Sequence, residues 1–404
     1  MTNKQDQSEY PPEDVLVKSL FHRTLVFFHV PSTWSARRVA LALLVPLAAV
    51  GLTWWLASGQ GELGLVAASL LSLFFLVDAL LLRRLPAWGV SYGPWQSQLF
   101  ALSIPRTVAA LLLSLVALLT TPVWGLTGLL AIQLLGSLAF AYGALVEPFR
   151  LSLTHLTVET DELSPETQPI KILHISDLHV ERLTRREEKL LALIDEAAPD
   201  LILITGDYLN LSYTRDRTAH SQVSHLLAQI SAPYGVYAVL GSPPVDERDV
   251  VPALFEDLPI ALLVNESAVV RLDDQRHLVI LGLDCSHHLP TDTAALSRLV
   301  ATSPNHQPNV LLYHAPDLMP EAAGHGIDLY LCGHTHGGQV RLPLLGAILT
   351  SSQLGKRYEM GLYREGRTHM YVSRGVGLEG LSAPRVRFLA PPEITLITLR
   401  GAGV

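Results

Sequence analysis

With 404 residues the chain has room for two or three domains, and its mean hydropathy of +0.32 is high for a soluble protein. Residues 151–404 hold 20 Lys+Arg against 30 Asp+Glu and 14 of the 16 histidines, an acidic balance that excludes a general nucleic-acid binder and leaves any handling of phosphate to metal ions. The two cysteines, Cys285 and Cys332, form no CxxC pair, which argues against a disulfide scaffold or a structural zinc site.

Residues 1–36 are polar and mixed and read as a cytoplasmic tail, with an amphipathic piece over 15–30 suited to a bilayer surface. Four apolar runs follow, at 39–57, 63–82, 100–120 and 123–146. Each is close to the roughly 20 residues that span a hydrocarbon core. A transmembrane region of four helices is therefore expected over 37–148, with the lipid bilayer as its partner. Asp78, the one acid inside a span, either faces a neighbouring helix or marks a function. Lys18, Arg23, Arg37 and Arg38 precede the first span, Arg83 and Arg84 follow the second, and Arg150 follows the fourth. The positive-inside rule then gives a multi-pass membrane protein with both termini and the soluble part in the cytoplasm. Arg37-Arg38 also invites a twin-arginine export reading, but three further spans and no evident cleavage site argue against it.

Glu147-Pro148-Phe149 breaks the last span, and a soluble domain is expected over 149–404. Strands are expected at 151–160, 172–175, 201–205, 234–240, 268–272, 278–283, 310–313, 329–332, 369–373 and 393–399. Helices are expected over 187–198 and 221–230. Such alternation implies an α/β core with largely parallel inner strands.

Chemistry collects where these strands end. The strand at 172–175 is followed by Asp177-Leu178-His179, and that at 201–205 by Gly206-Asp207. The strand at 310–313 leads to His314, and that at 329–332 leads to Gly333, His334 and His336. Oxygen and nitrogen donors without a thiolate suit Mn, Fe, Zn or Co. Two carboxylates and four imidazoles are too many for one open catalytic ion; they suit two ions sharing a bridging carboxylate, about 3.5–4 Å apart. Taken singly, Asp177 and Asp207 also read as helix caps. His174 and Cys332 read as core residues. His287-His288 reads as a solvated loop or a substrate contact, and Arg374 and Arg385 as phosphate contacts or surface ion pairs. Gly337-Gly338 allows either close backbone approach to a phosphate or a tight turn.

The ordered set Asp177-x-His179, Gly206-Asp207, His314 and Gly333-His334-x-His336 resembles the calcineurin-like metallophosphoesterases. SDLH, GHTHGGQ and the closing Ser373-Arg374-Gly375-Val376-Gly377 with Pro391-Pro392-Glu393-Ile394 are similar to their membrane-attached bacterial branch, which includes phosphodiesterases and UDP-diacylglucosamine pyrophosphatases. The likeness covers about residues 150–400. It implies a four-layer α/β/β/α sandwich. It assigns Asp177, His179 and His336 to one divalent metal, Asp207 to the bridge, and His314 and His334 to the other, with Mn, Fe or Zn as the ions. It also implies a phosphate-ester substrate, attacked by a metal-activated hydroxide.

The third family motif, Gly-Asn-His-Asp or Glu, departs here to Gly241-Ser242-Pro243-Pro244. Ser242 stands in the place of a metal-binding asparagine with a shorter neutral arm, so a weaker second metal is expected. Pro243 stands in the place of a proton-donating histidine, a loss typically worth about 10²–10⁴ in rate. Asp246 and Glu247 either supply an oxygen ligand through a shifted loop or remain solvated loop charges. The expected function is a membrane-anchored phosphodiester or pyrophosphate hydrolase, on a lipid-linked or nucleotide–lipid substrate. The alternative is a metal-binding pseudoenzyme acting as a membrane sensor or scaffold.

Overall fold

The computed structural model describes residues 20–273, 276–304, 306–381 and 384–403. The stretch 15–19 of the amphipathic piece and Lys18 lie outside the described residues; helix α1 occupies Leu20–His29. The rest forms two compact units, a helical one of residues 23–147 with 380–388, and an α/β one of residues 148–379 with 389–404.

The helical unit holds four helices long and apolar enough to cross a membrane. They are α2 (Ala36–Ser58), α3 (Gly61–Arg84), α4 (Trp95–Leu119) and α5 (Pro122–Leu145). Ser35 caps α2 by accepting from Arg38 N, and Gly59 closes it in the left-handed conformation. The indole N–H of Trp54 donates to the Ala110 carbonyl, so a buried polar atom is satisfied between α2 and α4. Asp78 faces a neighbouring helix. Arg106, a base inside the apolar helix α4, donates to both its carboxylate oxygens at 2.6 and 2.7 Å. The same guanidinium donates to Gln133 and Ser137 on α5.

The α/β unit is built on two six-stranded sheets. The first contains β1 (Ser152–Thr160), β2 (Ile170–Ile175), β3 (Leu201–Ile204), β4 (Val236–Ala238) and β5 (Ile260–Leu262). The second contains β6 (Glu266–Arg271), β7 (His277–Gly282), β8 (Asn309–Leu312) and β9 (Leu329–Cys332). A two-stranded hairpin of β10 (Arg341–Leu342) and β11 (Gly346–Ala347) follows. Then come β12 (Gly361–Glu365) and β13 (Thr368–Val372), which complete the second sheet, and β14 (Glu393–Gly401), which returns to the first. The order is β1-β14-β2-β3-β4-β5 in one sheet and β12-β13-β9-β8-β7-β6 in the other. The runs β2-β3-β4-β5 and β7-β8-β9-β13 are parallel.

The layering follows from the period of two along each strand. On β3, Leu201 and Leu203 point into a core shared with Val310 and Leu312 of β8, so the sheets pack face to face. Ile202 and Ile204 point the other way, onto α6 (Arg185–Ala197) and α7 (Arg217–Leu227). On β9, Leu329 and Leu331 face the shared core, while Tyr330 and Cys332 face α8 (Leu289–Thr302) and α9 (Met319–Gly324). The result is helix, sheet, sheet, helix, the four-layer arrangement expected. Helix α6 starts where Thr184 and Glu187 cap each other, and it buries Leu190 and Ile194 one turn apart. Truncating Leu203 to alanine in the doubly covered sheet should cost about 2–5 kcal/mol.

Strand β4, helix α7 and the span helices differ from the expected bounds by a few residues. Helix α8 and strands β5 and β12 were not foreseen. β5 and β12 are short edge strands, and α8 opens with Leu289-Pro290, which reads locally as a turn.

Candidate metal centre

Parallel inner strands deliver their C-terminal loops to one end of the two sheets. β2 ends in Ser176–His179, β3 in Thr205–Asp207, β8 in Tyr313-His314, and β9 in Gly333–His336. Five of the six candidate ligands (Asp177, His179, Asp207, His334 and His336) hold a positive φ, between 41° and 68°. Such backbone is costly for non-glycine residues and concentrates at functional sites. At Gly333 a Cβ would collide with the Asp177 carboxylate, so only glycine lets β9 pass so close.

The six side chains converge as two buried groups, Asp177/His179/His336 and Asp207/His314/His334, with donor atoms in each within 4.8 Å of one another. Asp207 lies between them: its Oδ2 is 3.5 Å from His179 Nε2 and 3.1 Å from His314 Nε2. His179 Nε2 and His336 Nε2 face each other at 2.9 Å, and His334 Nδ1 and His314 Nε2 at 3.2 Å. Asp177 Oδ1 accepts from His334 N at 2.9 Å, while its buried Oδ2 meets no hydrogen-bond partner among the described residues.

Surrounding carbonyls fix which nitrogen of each ring is presented. Thr205 O accepts from His314 Nδ1 at 2.7 Å, which leaves Nε2 for the centre. Ser351 O accepts from His334 Nε2 at 3.3 Å, which leaves Nδ1. Leu209 O and the Glu379 carboxylate, at 3.2 and 2.8 Å, engage His179 Nδ1 and leave its Nε2. Outer partners of this kind orient the imidazoles of metal sites.

The electrostatics have one origin, two buried carboxylates without a lysine or arginine at ion-pair distance among the described residues. Burial opposes charge on His179, but Glu379, Asp207 and Asp177 outweigh it and raise its pKa to about 9. Burial likewise opposes charge on His314, and Asp207 raises it to about 10. Burial pushes Asp177 up; Asp207 is also penalised by burial, but His314 holds it low. Burial and the charge of His314 push His334 well down. A buried carboxylate oxygen without a hydrogen-bond partner among the described residues and imidazole nitrogens turned toward one another fit a set of cation ligands. The donor set fits two divalent ions.

Ser242 reaches the second group. Its Oγ is 3.2 Å from His334 Nδ1 and 3.4 Å from Asp207 Oδ2, and its N–H donates to Asp207 Oδ1 at 2.7 Å. Pro243 offers no donor beside it. Asp246 is neither solvated nor a ligand. It is fully buried and accepts from the N–H groups of Asp207, Tyr208 and Gly241 at 2.7–3.0 Å, which holds the Asp207 loop in place. Burial and the neighbouring Asp207 raise its pKa to about 6. Glu247 pairs with Arg215. His287 is buried, its ring 5.1 Å from that of His334, so the solvated-loop reading does not hold for it. His174 is a core histidine bonded to Thr205 Oγ1 at 2.8 Å. Arg374 is held by buried Glu393, and Arg385 is buried within the helical unit, its Nε donating to Gly380 O at 3.1 Å. Gly337 and Gly338 turn the chain after His336 with positive φ.

A family model described as Calcineurin-like phosphoesterase matches residues 170–242. The uncharacterized metallophosphoesterase YkuE of Bacillus subtilis (strain 168) is 33% identical over 268 residues, which covers 65% of this chain and 90% of that protein. The chain belongs to the calcineurin-like metallophosphoesterases. Phosphodiesterase YaeI of Escherichia coli (strain K12) is 31% identical over 235 residues, 57% of this chain and 82% of that protein. UDP-2,3-diacylglucosamine pyrophosphatase LpxG of Chlamydia muridarum (strain MoPn / Nigg) is 23% identical over 310 residues, 62% and 90% of the two chains. A metallophosphoesterase is a phosphoester hydrolase that works with divalent metals, and the matched stretch 170–242 contains Asp177, His179 and Asp207.

The sequence pointed to all six ligand candidates but missed Glu379 and the organising role of Asp246. An acid two residues beyond the Arg374–Gly377 loop, and another four residues beyond Ser242, were the available signals.

Proposed function

We propose that this chain is a membrane-anchored metallophosphoesterase that hydrolyses a phosphodiester or pyrophosphate bond, with the four helices of 37–148 as anchor and the domain of 149–404 in the cytoplasm. The observation that carries the reading is the position of Asp207 Oδ2 between His179 and His314, one carboxylate serving two ligand groups. Asp177, His179 and His336 would hold one divalent ion, His314 and His334 the other, and Asp207 both. Bound there, the two ions would activate water for attack on phosphorus and neutralise the phosphate oxygens.

The chain's own residues do the positioning. Asp246 fixes the backbone of Asp207, and the Ser242 N–H fixes its Oδ1, so that Oδ2 is left for the bridge. Ser242 Oγ would offer a shorter reach than the family's asparagine, so the second ion would be held the more weakly. His287, buried beside His334, is the imidazole positioned to hydrogen-bond the substrate where Pro243 cannot. A lipid-linked or nucleotide–lipid substrate is supported by the four helices and by the name of the Chlamydia relative.

The Pro243 substitution also favours a second reading, a metal-binding pseudoenzyme acting as a membrane sensor or scaffold. Mn²⁺-dependent hydrolysis of an aryl phosphodiester by the full chain in detergent, beside Asp207→Asn, separates the two. Activity that needs metal and vanishes in the variant supports the enzyme. Equal background in both, with about one ion per chain, supports the pseudoenzyme.

A further inference from the structure

The segment after the glycine pair, Arg341-Leu342-Pro343-Leu344-Leu345-Gly346-Ala347-Ile348-Leu349, is apolar yet uncovered. β10 and β11 pair antiparallel across it, with Leu344 and Gly346 in the left-handed region at φ 67° and 74°. Leucine is poorly suited to that backbone, and the Leu344 side chain is fully exposed at 106%. Neither local conformation nor packing in the described residues accounts for leucine there. Leu342, Leu345, Ile348 and Leu349 are exposed as well, at 42–68%. Among the described residues of the α/β unit, five of the nine exposed large apolar side chains thus fall within residues 342–349. Single exposed leucines are ordinary, whereas a cluster of this kind marks a contact surface.

The hairpin is fixed, and it is fixed to the candidate metal centre. Arg341 donates to Gly337 O at 2.7 Å and pairs with Glu359 at 2.9 Å. Ser351, just beyond the hairpin, donates to His334 O at 2.8 Å. Lys356 donates to Leu345 O at 2.7 Å, and Lys356 and Arg357 stand about half exposed at the base, paired with Glu359 at 3.5 Å and Glu365 at 2.6 Å.

We propose that this hairpin is a membrane-inserting tip, with Leu344, Leu345, Ile348 and Leu349 entering the acyl region of the bilayer and Lys356 and Arg357 at headgroup level. The bilayer is the occupant because the same chain carries four helices of bilayer length, which tether a lipid surface at high effective concentration. An apolar tip flanked by basic side chains is also the composition that partitions into a membrane interface. Insertion would hold the mouth of the metal centre at the lipid surface, since Arg341 and Ser351 bind the loops bearing His334 and His336. The inference concerns membrane contact and stands apart from whether the chain hydrolyses a phosphoester.

The test uses the full chain in vesicles of phosphatidylethanolamine and phosphatidylglycerol, with a bimane fluorophore on Leu344→Cys or, as control, on exposed Glu196→Cys. Both native cysteines are buried, which directs the label to the introduced thiol. Brominated acyl chains should quench the probe at 344 and leave that at 196 bright, and aqueous iodide should do the reverse. Iodide quenching at 344 equal to that at 196, without bromolipid quenching, would overturn the proposal. So would protection from both quenchers, which would mean that a protein surface covers the tip.

Discussion

Each unit of this protein buries carboxylates, and the two treat them in opposite ways. In the helical unit Asp78 is met by Arg106 through two short bonds, and the guanidinium spends its remaining donors on Gln133 and Ser137. In the α/β unit Asp177 and Asp207 meet imidazoles held on strained backbone, and Asp177 keeps a buried oxygen with no hydrogen-bond partner among the described residues. A fixed arginine cannot give up its charge, so the first arrangement is closed and neutral. Imidazoles can exchange a proton for a metal ion, so the second remains open to a cation. A buried acid with its own arginine is a clamp between helices; a buried acid among histidines is a candidate ligand.

Substitutions can break this contrast. The largest effect is expected at Asp207→Asn, which should lower metal-dependent hydrolysis by at least about 10³-fold, because the bridge serves both groups. Calorimetry should show a rise in melting temperature with Mn²⁺ for the native chain and none for this variant. Asp78→Asn should leave both readouts close to native in direction, since no cation is missing there. Arg106→Ala should instead strip the helical unit of about 3–5 kcal/mol by leaving Asp78 buried and unpaired. Replacing Asp78 and Arg106 together by leucine and methionine should recover much of that loss, as measured by unfolding in detergent.

Restoring the family motif sharpens the comparison from the other side. Ser242→Asn with Pro243→His should raise turnover by about 10²-fold, the lower end of what a positioned proton donor contributes, with tighter binding of the second ion by calorimetric titration. The smallest of these effects is expected at Glu379→Gln, which keeps the shape but loses the charge beside His179. It should weaken the first ion by about 10-fold while the second titrates as before. A loss confined to the second ion would show that Glu379 does not act through His179.

The sequence alone determined what local period and local chemistry encode. Twenty-residue apolar runs announced the four long apolar helices, two-residue alternation announced the inner strands, and short motifs at strand ends put six candidate ligands in order. Those signals are legible because each is contained within a few residues of chain. The tertiary structure decided the rest. Asp246 became a buried acceptor for three N–H groups, Glu379 came to rest on His179, His287 turned in beside His334, and Arg106 found Asp78 one helix away. None of these can be read locally, because a side chain's role in each case is set by a partner on another element. Burial then decides its charge, its tautomer and whether it stays free to take a metal.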